Sequence, residues 1–351
     1  MTFEDVLEIK NGRNQRAVEN PEGKYPIYGS GGIMGYADDY ICDAQTVIVG
    51  RKGSINNPLY VEEPFWNVDT AFGLCANRDV LLPRYLYYFC KRFDFERLNK
   101  AVTIPSLTKS DLLKIEIDLP RLEEQQEVVN RLIKTEQIIE LRKQELEKFD
   151  NLIKSRFVEM FGLPVSNVKG WRTERMEAVA PTVNYSGEFD DKVWLLNLDM
   201  VESQTGRILD YLIVNEDEVG NSTCTFDTSN VLYSKLRPYL NKVVIPDRCG
   251  YATSELVPLQ PVKSKINREY LAFLLRSEEF VTMINEKVAG AKMPRVSMGD
   301  FRTFDVPVPP MELQEQFSEF VHQVDKLKFE VQKSLDETQI LMDSLMQQYF
   351  G

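Results

Sequence analysis

The chain has 351 residues, enough for two or three domains with cores of their own. Its formal net charge of -12 excludes a protein that coats nucleic acid by bulk positive charge, and no apolar run is long enough to span a membrane. Five cysteines without C-x-x-C spacing point to a reducing, cytoplasmic setting, and with a single histidine, His322, they argue against a zinc site, a Ser-His-Asp triad and catalysis by this chain alone.

Residues 1–118 read as short β-like runs such as "TVIVG" and "FGLCA" separated by Gly, Pro, Asn and Asp. An early stretch, "KYPIYGSGGIMGYADDY", carries Gly29, Gly31, Gly32 and Gly35. Such clusters can cradle a phosphate, but a dinucleotide fingerprint counted from Gly29 needs a third glycine where Met34 stands. In the following "GRKGS" the lysine precedes the glycine, so no P-loop is present, and the flanks "QTVIVG" and "PLYVEE" are β-like. A glycine-rich turn between strands is expected, not a cofactor loop. The region closes with an aromatic helical segment, "PRYLYYFCKRFDFERL".

Residues 119–162 begin at Pro120 with "PRLEEQQEVV", a proline start followed by acidic and amide residues that suit the positive end of a helix dipole. Positions spaced alternately four and three apart, from Val128 and Leu132 to Ile153 and Met160, are apolar in seven of ten cases. This is a coiled-coil seam, and a helix of about 38 residues would be roughly 57 Å long.

Residues 163–308 return to β-like runs, "NVLYSKL", "KVVIP" and "LVPLQ", and end in a second aromatic helix, "NREYLAFLLRSEEFVTMI". Tyr85-Leu86 aligns with Tyr270-Leu271, and "VDTAFGL" from Val68 aligns loosely with "ATSELVP" from Ala252. Residues 309–351 repeat the first rod segment. Pro105, Asp111, Pro120, Glu123, Gln125 and Phe161-Gly162 recur 189 residues later as Pro294, Asp300, Pro309, Glu312, Gln314 and Phe350-Gly351. The second seam, Phe317 to Tyr349, is apolar at eight of ten positions in the same phase. The expected architecture is α+β: two globular regions rich in short strands, and two long helices paired antiparallel as a coiled coil with an internal pseudo-twofold repeat.

With these features the sequence resembles the specificity (S) subunits of type I restriction-modification systems, over essentially the whole chain. The carriers are "DLPRLEEQQEVV" and "DVPVPPMELQEQFSEF", the two "FG" helix ends and the opening "KYPIYGSGGIMGY…VIVGRKGSI". The resemblance implies that residues 1–118 and 163–308 are target recognition domains, each reading half of a bipartite, asymmetric site in double-stranded DNA. It implies that the helices set the spacer. It also implies a non-catalytic chain that docks two methyltransferase (M) subunits and possibly restriction (R) subunits. S-adenosylmethionine, ATP and Mg are then expected on those partners and no cofactor on this chain. The first globule starts almost at once with "MTFEDVLEI", whereas the second has the longer lead-in "NVKGWRTERMEAVA", a departure that predicts a minimal N-terminal segment.

Base reading needs polar donors on loops, and affinity needs cations near phosphates. In the first globule "VGRKGSINN" offers Arg51, Lys52, Ser54 and Asn56, with Arg13, Arg16, Lys24 and Ser30 upstream. In the second, "LYSKLRPYLNK" offers Lys235, Arg237, Tyr239 and Lys242, "AGAKMPRVS" adds Lys292 and Arg295, and "VNYSGEF" adds Asn184 and Tyr185. The "GRKGS" and "SKLRP" loops are the strongest clusters. Two other classes stay open at this point. A coiled-coil scaffold presenting two ligand- or protein-binding β domains predicts no DNA affinity. A nucleotide-using enzyme predicts stoichiometric nucleotide binding.

Overall fold

The computed structural model describes residues 1–101, 103–288 and 293–351. They form two units, residues 1–144 with 332–351, and residues 145–331.

In the first unit, helix α1 (Phe3–Val6) leads into β1 (Leu7–Asn11). The glycine-rich stretch forms a hairpin of β2 (Tyr25–Gly29) and β3 (Gly32–Ala37), with a bulge between Ile27 and Tyr28. Strands β4 (Thr46–Gly50), β5 (Leu59–Val61), β6 (Trp66–Asn67) and β7 (Ala71–Ala76) follow. The sheet orders are β1-β7-β4-β5, antiparallel throughout, and β3-β2-β6, with β6 parallel to β2. Helix α2 (Pro83–Arg92) starts on a proline, and its Tyr85, Leu86, Tyr88 and Phe89 enter the core with Val47, Val49, Phe72 and Leu74. The short α3 (Lys109–Leu112) is capped by Thr108, whose side chain accepts from Asp111 N–H.

The first unit also holds the start of α4 (Leu122–Phe161) and the end of the last helix. Leu132 and Ile139 share a buried cluster with Met342 and Met346, and Arg131 donates to the Tyr349 hydroxyl.

The second unit contains β8 (Thr173–Arg175), α5 (Met176–Val179), β9 (Lys192–Leu196), β10 (Leu212–Asn215), β11 (Thr223–Phe226) and β12 (Val231–Ser234). After these come β13 (Val243–Val244), β14 (Gly250–Thr253), β15 (Leu256–Leu259), α6 (Arg268–Arg276), α7 (Glu278–Asn285), α8 (Met298–Arg302), β16 (Asp305–Pro307) and α9 (Met311–Phe350). Its sheets run β10-β9-β14-β11, β13-β12-β15 and β16-β8. Phe157 packs on Tyr270 and Phe317 with ring centroids 5.5 Å apart in both cases, and Lys328 Nζ sits 2.6 Å from Asp150 Oδ1. Rising numbers on α4 thus meet falling numbers on α9, an antiparallel pair. Gly162 at φ +78° ends α4, with its N–H on the Val158 carbonyl.

Both seams face inward. From Val128 to Met160, and from Phe317 to Tyr349, every seam position is buried or half-buried. The arginine, lysine and threonine positions within them are no exception, because long stems and hydroxyls with local acceptors tolerate partial burial. Thr135 donates to the Arg131 carbonyl at 2.9 Å and Thr338 to that of Ser334 at 2.7 Å.

The two units repeat one plan, with β12, β15 and α6 of the second standing where β4, β7 and α2 stand in the first. The parallel pair Ile27↔Trp66 corresponds to Leu195↔Tyr251, so β9 matches β2 and β14 matches β6. The antiparallel neighbour of β9 is β10, which takes the place of β3. The connection between the paired strands differs most: Ser30-Gly31 in the first unit, residues 197–211 in the second. Arg51 N–H donates to the Thr70 carbonyl and Lys235 N–H to that of Glu255. This pairs Thr70 with Glu255 and moves the loose sequence alignment of Val68 with Ala252 by one residue.

Candidate nucleic-acid interface

The "GRKGS" and "SKLRP" loops are built alike. Each leaves an inner strand of its sheet and is held by the segment before a short capped helix. In the first unit Leu107 N–H donates to the Arg51 carbonyl at 2.9 Å and Gly53 N–H to the Pro105 carbonyl at 3.0 Å. In the second, Val296 N–H donates to the Lys235 carbonyl at 2.9 Å and Arg237 N–H to the Pro294 carbonyl at 2.8 Å. Gly53 lies at φ +82° and Arg237 at φ +48°, so both loops turn through the left-handed region at the same point. The caps repeat as well: Ser297 accepts from Asp300 N–H as Thr108 does from Asp111. Because all these bonds use the backbone, the side chains of Arg51, Lys52 and Arg237 stay exposed on fixed loops. The Arg51 guanidinium lies 5.8 Å over the Phe72 ring and reaches the Asp69 carbonyl.

The glycine hairpin leans on the first loop. Ser30 Oγ donates to the Lys52 carbonyl at 3.5 Å, and a side chain at Gly50 would meet the Ser54 carbonyl at 2.2 Å and Ser30 Cβ at 3.2 Å. The β9–β10 connection leans on the second loop in the same manner. Gln204 donates its backbone N–H to the Leu240 carbonyl and its side-chain amide to the Tyr239 carbonyl.

Several candidates already have partners within the fold. Asn56 spends both ends of its amide internally, donating to Asp94 at 3.0 Å and accepting from Phe95 N–H at 2.7 Å. Lys242 Nζ donates to the Leu198 carbonyl at 2.6 Å, and burial lowers its pKa from the usual lysine value. Arg295 pairs with Glu255 at 2.9 Å, which raises the guanidinium pKa further. All three are engaged by partners that lie far off in sequence, with Lys242 half-buried and Asn56 and Arg295 still exposed. Tyr185 packs its ring on Phe189 at 5.4 Å and accepts from Thr225 through its carbonyl, while Asn184 is exposed beside it. Exposed Arg13 and Arg16 lie on the loop after β1, where the Arg13 carbonyl accepts from Trp66 Nε1. Lys24 Nζ lies 5.3 Å over the Tyr25 ring, and Ser54 and Tyr239 are exposed. Lys292 falls outside the described residues. His322 is an exposed α9 residue 3.7 Å from Glu269. Among the described residues, none of the groups of His, Cys, Asp and Glu could hold a metal ion.

The sequence missed one kind of residue, the buried amide. Gln125 and Gln314 are each 0% exposed, and each fastens its helix start to the strand-helix loop of its own unit. Their recurrence at the 189-residue spacing was the available signal.

A family model described as the type I restriction modification DNA specificity domain matches residues 1–150 and 205–338. The chain belongs to this family. It is therefore a specificity subunit, the part of a type I restriction-modification system concerned with DNA recognition, not with catalysis. Among relatives, the specificity subunit of the type I restriction enzyme EcoDI of Escherichia coli is 22% identical, over 99% of this chain and 86% of its own length. The MjaIX specificity subunit of Methanocaldococcus jannaschii is 21% identical, over 85% and 73%. The crystal structure of the S subunit from M. genitalium superposes with a TM-score of 0.63 at 18% identity, covering 100% of this chain and 95% of that one. A chain from a study of complex assembly and conformational transition in the type I system gives 0.61 at 17%, covering 100% and 96%. The specificity subunit shares that fold. Among its described residues no helix is long and apolar enough to cross a membrane.

Proposed function

We propose that the two units of this specificity subunit read the two halves of a bipartite, asymmetric site in double-stranded DNA, with α4 and α9 fixing the spacer. The observation that carries this reading is the internal repeat. The parts that hold each loop recur closely, down to Gln125 and Gln314, while the loops they hold differ: Arg51-Lys52-Gly53 in one, Lys235-Leu236-Arg237 in the other. A matched scaffold with unmatched loops suits two different half-sites at a set separation. Phosphate contacts from Arg51, Lys52, Lys235 and Arg237 would fix register, and the acidic last helix suits a protein partner better than DNA.

Two methyltransferase subunits, which methylate adenine and hold S-adenosylmethionine, are the proposed partners in a cytoplasmic complex. Restriction subunits using ATP and Mg would join the same assembly. The test is to express the chain with its cognate methyltransferase and map methylated adenines genome-wide. A two-part motif with a fixed gap supports the reading, and absence of methylation with no DNA affinity favours the plain scaffold.

A further inference from the structure

Two edge strands occupy the same topological place and both carry exposed apolar side chains. On β3 these are Ile33 (56% exposed), Met34 (62%) and Tyr36 (45%). On and just before β10 they are Tyr211 (39%), Leu212 (37%) and Ile213 (49%). By register Tyr36 sits opposite Pro26 and Ile213 opposite Trp194, each one residue before the parallel pair that ties the ribbon to the sheet. The position is thus repeated and the chemistry is apolar in both, yet the side chains differ. That combination fits an element that touches the feature distinguishing the two half-sites.

We infer that the β2–β3 ribbon enters the DNA major groove and that Met34 and Tyr36, with Ile33, make apolar contacts to thymine methyl groups of one half-site. This rests on the bipartite reading above. The major groove admits a two-stranded ribbon, and the thymine methyl is its one apolar mark. Residues 24–37 and 49–58 carry Lys24, Arg51 and Lys52 and no carboxylate, so the ribbon tip and the loop it touches bring positive charge toward the phosphates that flank a groove, while the Glu19 carboxylate lies beside Gly35 farther along β3. The carboxylates of Asp38 and Asp39 lie beyond the far end of β3, where Asp38 accepts from Asn20. The ribbon is also fixed before any DNA arrives. Ser30 holds the tip to Lys52, and Gly29 leaves room for the Met34 thioether, which a Cβ there would meet at 2.7 Å. The contacts would therefore add discrimination with little ordering cost.

The experiment uses the chain assembled with its methyltransferase partners and DNA carrying the mapped site. Met34→Ser with Tyr36→Ser, both at exposed positions, should fold and assemble as wild type. The variant should bind the site about tenfold more weakly with the salt dependence unchanged. Replacing the thymines of that half-site by uracil should weaken the wild type by a similar factor and leave the variant nearly unaffected. Lys52→Ala, by contrast, should change the salt dependence. Unchanged binding by the double variant, equal uracil effects in both proteins, or loss of assembly in place of DNA affinity would each overturn the assignment. Failure of the bipartite reading itself would look different, because wild type would then show no site at all.

Discussion

Gln125 and Gln314, 189 residues apart in sequence, make the same three hydrogen bonds from the same buried position. Gln125 Oε1 accepts from Leu82 N–H at 2.9 Å, and its amide donates to the Val80 and Pro120 carbonyls. Gln314 Oε1 accepts from Asn267 N–H at 2.9 Å, and its amide donates to the Lys265 and Pro309 carbonyls. Each glutamine supplies a helix start with partners for backbone groups that would otherwise be buried alone.

Gln314→Ala would leave one N–H and two carbonyls without that partner, at about 1–3 kcal/mol for each group that stays buried. Urea unfolding should show a loss of at least about 2 kcal/mol. Gln314→Glu should also destabilise, because a carboxylate cannot donate to either carbonyl. Gln125→Ala should behave alike, and a loss below measurement error in either variant would contradict the fastening role.

Substitution of Lys52, or of Arg237, should leave thermal stability unchanged and flatten the salt dependence of DNA binding. The slope should fall by about 0.9 log units per log of salt for each phosphate the variant no longer neutralises. Lys242→Ala should behave the other way. Its ammonium is bound to the Leu198 carbonyl, so stability should fall while the salt slope holds. Titrations at several salt concentrations, alongside melting curves, separate the two classes.

Phe157 is 3% exposed and touches Phe161, Tyr270, Phe273 and Phe317. Phe157→Ala should cost about 3–5 kcal/mol of stability, measured by denaturant unfolding, because the surrounding rings are pinned from several elements. Phe157→Leu should cost less, since it keeps most of the apolar volume.

Asp111 accepts from Lys100 and from Thr108, which together hold its carboxyl below the ordinary aspartate value of 3.8. A depressed carboxyl contributes stability above its unfolded pKa and loses it as pH falls through the folded pKa. Lys100→Ala should raise the Asp111 pKa in an NMR titration. Any stability difference from wild type should be present near neutral pH and shrink as pH falls below the ordinary aspartate value of 3.8.

Much of this architecture is visible in the sequence because the long helices speak through periodicity. The seam from Val128 and its copy from Phe317 need only 3.5-residue spacing to be seen, and the prolines at 120 and 309 mark where each helix starts. The glycine hairpin is legible for a similar reason, since β-like flanks surround a run that only a turn explains. The hidden part is tertiary. Lys242, Arg295 and Asn56 look like free donors until the fold brings Leu198, Glu255 and Asp94 to them. The match of β10 to β3 was masked by connections of very different length, and a buried Gln125 in a first helical turn reads as an ordinary dipole partner.

The central claim is that each unit reads its own half-site independently. The most direct measurement replaces residues 1–118 with the corresponding region of another family member, expresses the hybrid with the cognate methyltransferase and maps methylated adenines. The account predicts a motif in which one half changes while the other half and the gap stay as in wild type. A motif unchanged in both halves, or altered in both, would contradict it.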